Sequence, residues 1–165
     1  MTTTTNEAAR LVDQFQRAHD GDPWHGSPLM HILEGITAAQ ASAKPIASGH
    51  SIWELVLHMT AWKNEVRRRV SGAPARTPEE GDWPDPGQPS EARWRDARVQ
   101  LQKAHAELAA AARSLTETQL WQPTNDPRNR ELGSGVSYYI LLHGIVQHDV
   151  YHAGQIALLK KAAAR

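Results

Sequence analysis

Apolar side chains recur three or four positions apart in four stretches of the chain, which is the spacing of one face of an α-helix. The first stretch follows Asn6, a suitable N-cap, and its apolar or small positions are Ala8, Leu11, Val12, Phe15 and Ala18. Ser51 and Ser90 are N-cap candidates for two longer stretches, SIWELVLHMTAWKNEVRRRV and SEARWRDARVQLQKAHAELAAAARSL. The last stretch runs from about residue 136 to 164. No stretch alternates with the period of two that marks a strand, so the pattern predicts an all-α protein, a four-helix bundle.

Proline and glycine mark the segments between these helices. Residues 20–28 break the first helix, a short helix is predicted from Leu29, and Thr37 is a candidate cap for one or two further turns. Residues 71–90 contain five prolines and three glycines, which predicts a long loop. The segment TETQLW and the residues up to 135 are predicted as another break. At 165 residues, we expect the whole chain, 1–165, to be a single domain with one sizeable core.

Charge and cysteine content exclude several function classes. Lysine plus arginine, and aspartate plus glutamate, each number 18, so no net charge attracts nucleic acid or an anionic membrane surface. We therefore expect neither as a partner. The absence of cysteine rules out disulfides, thiolate metal ligands and a thiol nucleophile supplied by the chain. The N-terminus has no signal-peptide pattern and no apolar run approaches about 20 residues, so we expect a cytoplasmic location.

Two histidines interrupt the apolar face of the last helix. At about 100° per residue, one narrow stripe of that helix holds Leu141, Ile145, His148, His152 and Leu159. A spacing of four residues lets the two imidazoles converge on one point from the same side. The second long helix repeats the feature, because a histidine, His58, lies at the edge of its inner stripe. That stripe consists of Leu55, Met59, Trp62 and Val66.

Three imidazoles that point inward need partners. Burying one without a hydrogen bond costs roughly 1–3 kcal/mol. A divalent metal would use all three lone pairs at once. The alternatives are that each histidine is a polar core residue satisfied by its neighbours, or that the pair in the last helix faces solvent. For four other histidines the sequence offers no supporting group of residues: His19, His31, His105 and His143.

Three segments of the chain resemble the DinB superfamily, the DinB/YfiT-like metalloenzymes: PWHGSPL, GHSIWELVLHMTAW and HDVYHAGQIALLKK. The resemblance implies a four-helix bundle of the DinB/YfiT-like type, which often pairs as a homodimer. It also implies a divalent metal, nickel or zinc, held by one histidine of the second long helix and two of the last. In this sequence those positions are His58, His148 and His152.

Four further residues are candidates for an outer shell around the metal. Glu54 lies one turn before His58 and is expected to accept a proton from its second nitrogen, as partners of metal-bound histidines do. Gln155 follows the last of the three histidines by three positions and is expected to line the same cavity or to pack. Asp149 and Tyr151 flank the histidine stripe and could reach either the pocket or a neighbouring helix.

Three functions stay open on this sequence. Three protein ligands leave open coordination positions, as in catalytic sites. The resemblance implies a metal-dependent enzyme that acts on a small-molecule substrate, such as an S-transferase of a low-molecular-weight thiol or a detoxifying enzyme. Because the chain has no cysteine, the sulfur would come from a thiol co-substrate such as bacillithiol, mycothiol or glutathione. The alternatives are a metal-dependent hydrolase and a non-catalytic, stress-related metal-binding protein.

Overall fold

Seven helices are present in the computed structural model, which describes residues 6–126 and 136–163. They are α1 (Glu7–His19), α2 (Leu29–Leu33), α3 (Ala38–Ser42), α4 (Ile52–Val70), α5 (Glu91–Arg113), α6 (Glu117–Leu120) and α7 (Tyr138–Ala163). Those residues contain no strand, only one isolated antiparallel bridge between Pro123 and Ser137. The all-α prediction is therefore confirmed.

The helix count differs from the predicted four because three short helices join the four long ones. The long helices, α1, α4, α5 and α7, have 13, 19, 23 and 26 residues. The short helix from Leu29 and the turns after Thr37 were predicted, but TETQLW was predicted as a break and contains α6. Thr116 caps α6 through a capping box with Gln119, which stabilises even a single turn. The predicted end of the last helix at residue 164 lies outside the described residues.

Capping side chains define where the long helices begin, as the sequence predicted. The side chains of Asn6, Ser51 and Ser90 each accept a hydrogen bond from a backbone N–H in the first turn of α1, α4 and α5. At the other end of α4, Gly72 adopts a φ of 86°, a left-handed conformation that favours glycine and turns the chain into the long loop.

The four long helices contact one another in a closed order, α4 with α5, α5 with α1, α1 with α7, and α7 with α4. Two apolar clusters fill the space between them. The first contains Trp53, Met59, Leu101 and Ile156, and the second contains Leu11, Phe15, Val66, Leu108 and Leu142. Along α4, α5 and α7, buried polar residues lie between the segments that supply these two clusters. They are Lys63, Glu65, His105, Asp149 and His152, and buried His58 lies just before Met59 at the edge of the first cluster.

The buried face of α7 is turned slightly from the predicted stripe. Its buried side chains include Leu142, Ile145, Asp149, His152, Ile156 and Leu159. Leu141 and His148, both placed within the predicted stripe, are only half-buried. His148 consequently lies at the border between the core and the surface. Among the helices of the described residues, none has the length and apolar character that a bilayer-spanning segment requires.

Candidate metal centre

Helices α4 and α7 pack against each other and bring the three predicted histidines together. Nε2 of His148 lies 2.9 Å from Nε2 of His58 and 3.1 Å from Nε2 of His152. The candidate ligand atoms of the three residues all lie within 4.8 Å of one another. His58 and His152 are buried whereas His148 is half-buried, so His148 is the most exposed of the three residues although its Nδ1 is buried.

The hydrogen bonds of Nδ1 in His58 and His152 determine which ring nitrogen presents its lone pair to the cluster. Nδ1 of His58 lies 2.6 Å from the backbone carbonyl oxygen of Asp82, and Nδ1 of His152 lies 2.6 Å from Oε1 of Gln155. Since a carbonyl oxygen only accepts, each Nδ1 carries the proton and donates it, and each Nε2 presents a lone pair. If Nε2 of His148 carries a proton, it can donate a good hydrogen bond to Nε2 of His58 or to Nε2 of His152, but not to both. The donor set therefore fits a divalent cation held by neutral imidazoles.

The long loop between α4 and α5 contributes two residues that sequence analysis missed. Trp83 stacks on His58 with 3.9 Å between ring centroids, and its ring also stacks on His50 at 3.4 Å. The preceding residue, Asp82, accepts a hydrogen bond from Nε1 of Trp62 at 2.7 Å and lies with its carboxylate 3.3 Å from Nδ1 of His58. A structureless loop of this length is often functional, and that was the available signal.

Glu54 does not hold the outer position that the sequence suggested for it. Its carboxylate accepts hydrogen bonds from the backbone N–H of Ser51 at 2.7 Å and from Nζ of Lys44 at 2.8 Å. Although burial acts in the opposite direction, these hydrogen bonds hold the pKa of Glu54 below its usual range. The partner of His58 is Asp82 instead, because Glu54 is engaged in the capping box of α4.

The other three outer-shell candidates lie in different surroundings. Gln155 contacts His152 directly, with its Oε1 2.6 Å from Nδ1 of that ring. Tyr151 is 65% exposed, and its ring lies edge-on to His152 with 5.1 Å between centroids. Asp149 is buried on the core side of α7 and forms an ion pair with Nζ of Lys63, which is itself fully buried.

Burial sets the charge state of the cluster. Together with smaller effects of the neighbouring histidines, it lowers the pKa of His148 to about 3. Burial also lowers the pKa of His152, against the opposing hydrogen bond to Gln155. Both rings are therefore neutral near pH 7, which is the protonation state that binds a metal.

A second pair of histidines lies in the core, at positions that no sequence pattern connects. His19 of α1 and His105 of α5 stack with 3.8 Å between centroids and 4° between ring planes. None of their four ring nitrogens hydrogen-bonds to another described residue. Burial is the largest cause of low pKa values, about 2 for His19 and about 3 for His105, and nearby Lys63 adds to both shifts. Parallel stacked rings do not converge on one point, so this pair does not form a second cation site.

Comparison with known proteins agrees with the geometry of the site. The model of the DinB superfamily matches residues 24–156, a range that includes the three histidines, the loop over them and most of α7. Comparison with curated proteins and with solved structures found no significant match in either. Since the matched range covers well over half of the chain, this protein belongs to the DinB superfamily.

Proposed function

We propose that this protein is a metal-dependent S-transferase that joins a low-molecular-weight thiol, through its sulfur, to a small molecule. His58, His148 and His152 would hold the metal, nickel or zinc, on a scaffold in which the four long helices form the bundle of the family. The observation that carries the proposal is the convergence of the candidate ligand atoms of three histidines, of which His148 is half-buried. A closed structural site would have four protein ligands, whereas three leave room for a co-substrate.

The need for a separate thiol follows from the absence of cysteine in the chain. A divalent ion with open coordination positions lowers the pKa of a bound thiol or water. Because the chain has no cysteine, a sulfur nucleophile must come from a separate small thiol. In the transfer, that thiol gives up its proton to solvent and its sulfur bonds to an electrophilic carbon, whose leaving group departs with the bonding electron pair.

Neighbouring residues would keep the histidines in place during this reaction. Asp82 and Gln155 accept the Nδ1 protons of His58 and His152 and so hold the Nε2 lone pairs on the site. Trp83 stacks on the His58 ring and restricts its rotation. These three contacts order the ligands before a cation binds, so less rotational freedom is lost on binding.

A hydrolase is the second candidate, because a divalent ion with open coordination positions also lowers the pKa of a bound water. The carboxylate of Asp82 lies at Nδ1 of His58, on the side of the ring that faces away from the cluster, and so supports the ring in either reaction. The third alternative, a stress-related protein that binds metal without catalysis, would use the same histidines and turn over no substrate.

For assembly and location we propose a cytoplasmic homodimer. Support for the dimer comes from α7, whose outer face exposes Tyr151 and Leu158, two large side chains on one side of the helix. A helix that is apolar on nearly every side is usually covered by a neighbour, and a second copy of the chain would provide one.

Thiol dependence and the His148→Ala variant together test this function. Zinc- or nickel-loaded protein is screened with small thiols and electrophilic acceptors, and conjugates are detected by mass spectrometry. We expect conjugation that needs both an added thiol and intact His148. Turnover of an ester or amide in thiol-free buffer would favour the hydrolase instead. Full activity in the His148→Ala variant would remove the metal from the mechanism.

A further inference from the structure

An apolar cavity of about 260 Å³ lies in the groove between α4 and α7 and ends at His148. Trp62 and Val66 line it on the α4 side, and Ile140 and Leu141 line it on the α7 side. Almost all of the exposed lining is carbon. Since His148 is the half-buried member of the histidine cluster, the cavity leads from solvent to the side on which the cluster is accessible.

Among the residues that the structure describes, Arg69 is the charged one that lines the cavity, and it is already engaged. Nε of Arg69 donates to Oε1 of Glu65 at 2.8 Å, and a terminal nitrogen of Arg69 donates to the carbonyl oxygen of Arg76 at 2.8 Å. The guanidinium also lies over the Trp62 ring, with 5.6 Å from Cζ to the centroid. Because the carboxylate of Glu65 already pairs with the guanidinium, an anionic ligand would gain little from Arg69.

We propose that this cavity binds an uncharged apolar group, about the size of one or two aromatic rings, and holds it against His148. Engineered cavities of about 150 Å³ with similar walls accept benzene, so the volume here is sufficient for a larger ring system. Apolar walls with one polar group at the end are typical of sites that bind small molecules. The inference rests on the proposed function in one respect, because it identifies the bound group as the apolar part of the substrate.

Gly144 provides a way to fill the cavity without disturbing the helix. It lies on the cavity wall in α7, and a Cβ added there would meet no heavy atom within 4 Å. In the Gly144→Leu variant the new side chain would occupy space that a ligand needs. Gly154 is a matched control, because it is exposed on the same helix, has the same free space at Cβ and does not line the cavity.

The test is fluorine NMR of para-fluorotoluene with metal-free protein, followed by the same titration after nickel loading. We expect saturable binding to the unmodified protein and to Gly154→Leu, and binding at least about tenfold weaker in Gly144→Leu. Nickel at the histidines should broaden the signal of the bound probe, since the cavity ends at a ligand residue. Absence of saturable binding, or equal binding by both leucine variants, would overturn the proposal.

Two results separate this inference from the proposed function. Saturable binding to metal-free protein that Gly144→Leu abolishes supports the cavity even if no thiol transfer is ever observed. If Gly144→Leu changes only the mass of the protein in solution and leaves probe binding intact, the groove is a contact between copies of the chain, and the proposal is wrong.

Discussion

Nε2 of His58 lies 2.9 Å from Nε2 of His148, although the two residues are 90 positions apart in the chain. The same Nε2 of His148 also lies 3.1 Å from Nε2 of His152, and three ring nitrogens so close together form a poor hydrogen-bond network but a good set of ligands. The predictions below test how this cluster is supported and what the surrounding polar residues contribute.

Gln155 is predicted to support metal affinity without contributing a ligand atom. In Gln155→Leu the Nδ1 of His152 loses its hydrogen-bond acceptor. The ring is then less well oriented, and its Nε2 lone pair binds a metal less strongly. Loss of such a partner typically weakens metal binding by about 10–100-fold. Competition with a chelator measures the affinity. Gln147→Leu, an exposed position of the same helix, is the control, and an equal effect in both variants would show that Gln155 has no specific role.

The buried ion pair between Lys63 and Asp149 is predicted to show strong coupling. Replacing Lys63 by Met leaves a carboxylate in the core without its cation, which should reduce the free energy of unfolding by about 3–5 kcal/mol. Replacing both residues, as Lys63→Met with Asp149→Leu, should restore most of that loss, since no charge remains buried. Urea denaturation of the two single variants and the double variant gives the coupling energy. Additive losses would mean that the two side chains do not stabilise each other.

The stacked pair His19 and His105 is predicted to make folding pH-dependent. Burial holds their folded-state pKa values at about 2 and about 3, below the unfolded value of about 6.5, so between these values the unfolded chain binds more protons. The contribution of the two neutral rings to the free energy of unfolding is therefore fully present above about pH 6.5. It is lost as the pH falls toward their folded-state pKa values. Each histidine contributes a slope that approaches about 1.4 kcal/mol per pH unit.

The His105→Phe variant tests this assignment. Urea denaturation of metal-free protein between pH 7.5 and 5 gives the free energy of unfolding as a function of pH. This free energy should fall less steeply in the variant, by the slope that corresponds to about one bound proton. Lys63 and Arg113 are the charged groups that act on His105, and neither changes in this experiment. Parallel curves for the variant and the unmodified protein would show that other groups cause acid destabilisation.

Local patterns in the sequence predicted the helices and the three histidines, because both depend on spacing within one helix. The HxxxH pair and the caps at Ser51 and Ser90 required no knowledge of the rest of the chain. Glu54 was assigned to the wrong partner although Ser51 and Glu54 stand in capping-box positions, a competing role that was readable from their spacing of three.

Other features could not be predicted because they depend on tertiary contacts. Asp82 and Trp83 reach the site only through the path of a loop that has no periodic pattern. His19 and His105 come from different helices, so no spacing rule connects them. The rotation of α7 was predicted imperfectly, because a helix that is apolar on nearly every side does not show which side is buried. His148 was placed in the middle of the buried face but lies at its edge.

The apolar outer face of α7 is predicted to hold two copies of the chain together. Leu158→Glu places a charge on that face, where Leu158 is 68% exposed, and should convert the dimer to a monomer. Val99→Glu is the control, because Val99 is an exposed aliphatic residue on α5, outside the proposed interface. Light scattering at tens of micromolar protein gives the mass. A monomer without any substitution would contradict the proposed assembly.

Metal content per chain tests the central claim most directly. Protein loaded with zinc or nickel, and then freed of excess ion, should retain about one divalent ion per chain because His58, His148 and His152 provide three ligands. His148→Ala should retain almost none, while His31→Ala, in which an exposed histidine is removed, should bind as the unmodified protein does. Circular dichroism should show that all three proteins are equally helical. Equal metal content in His148→Ala and the unmodified protein, or no retained metal in any of them, would contradict the account.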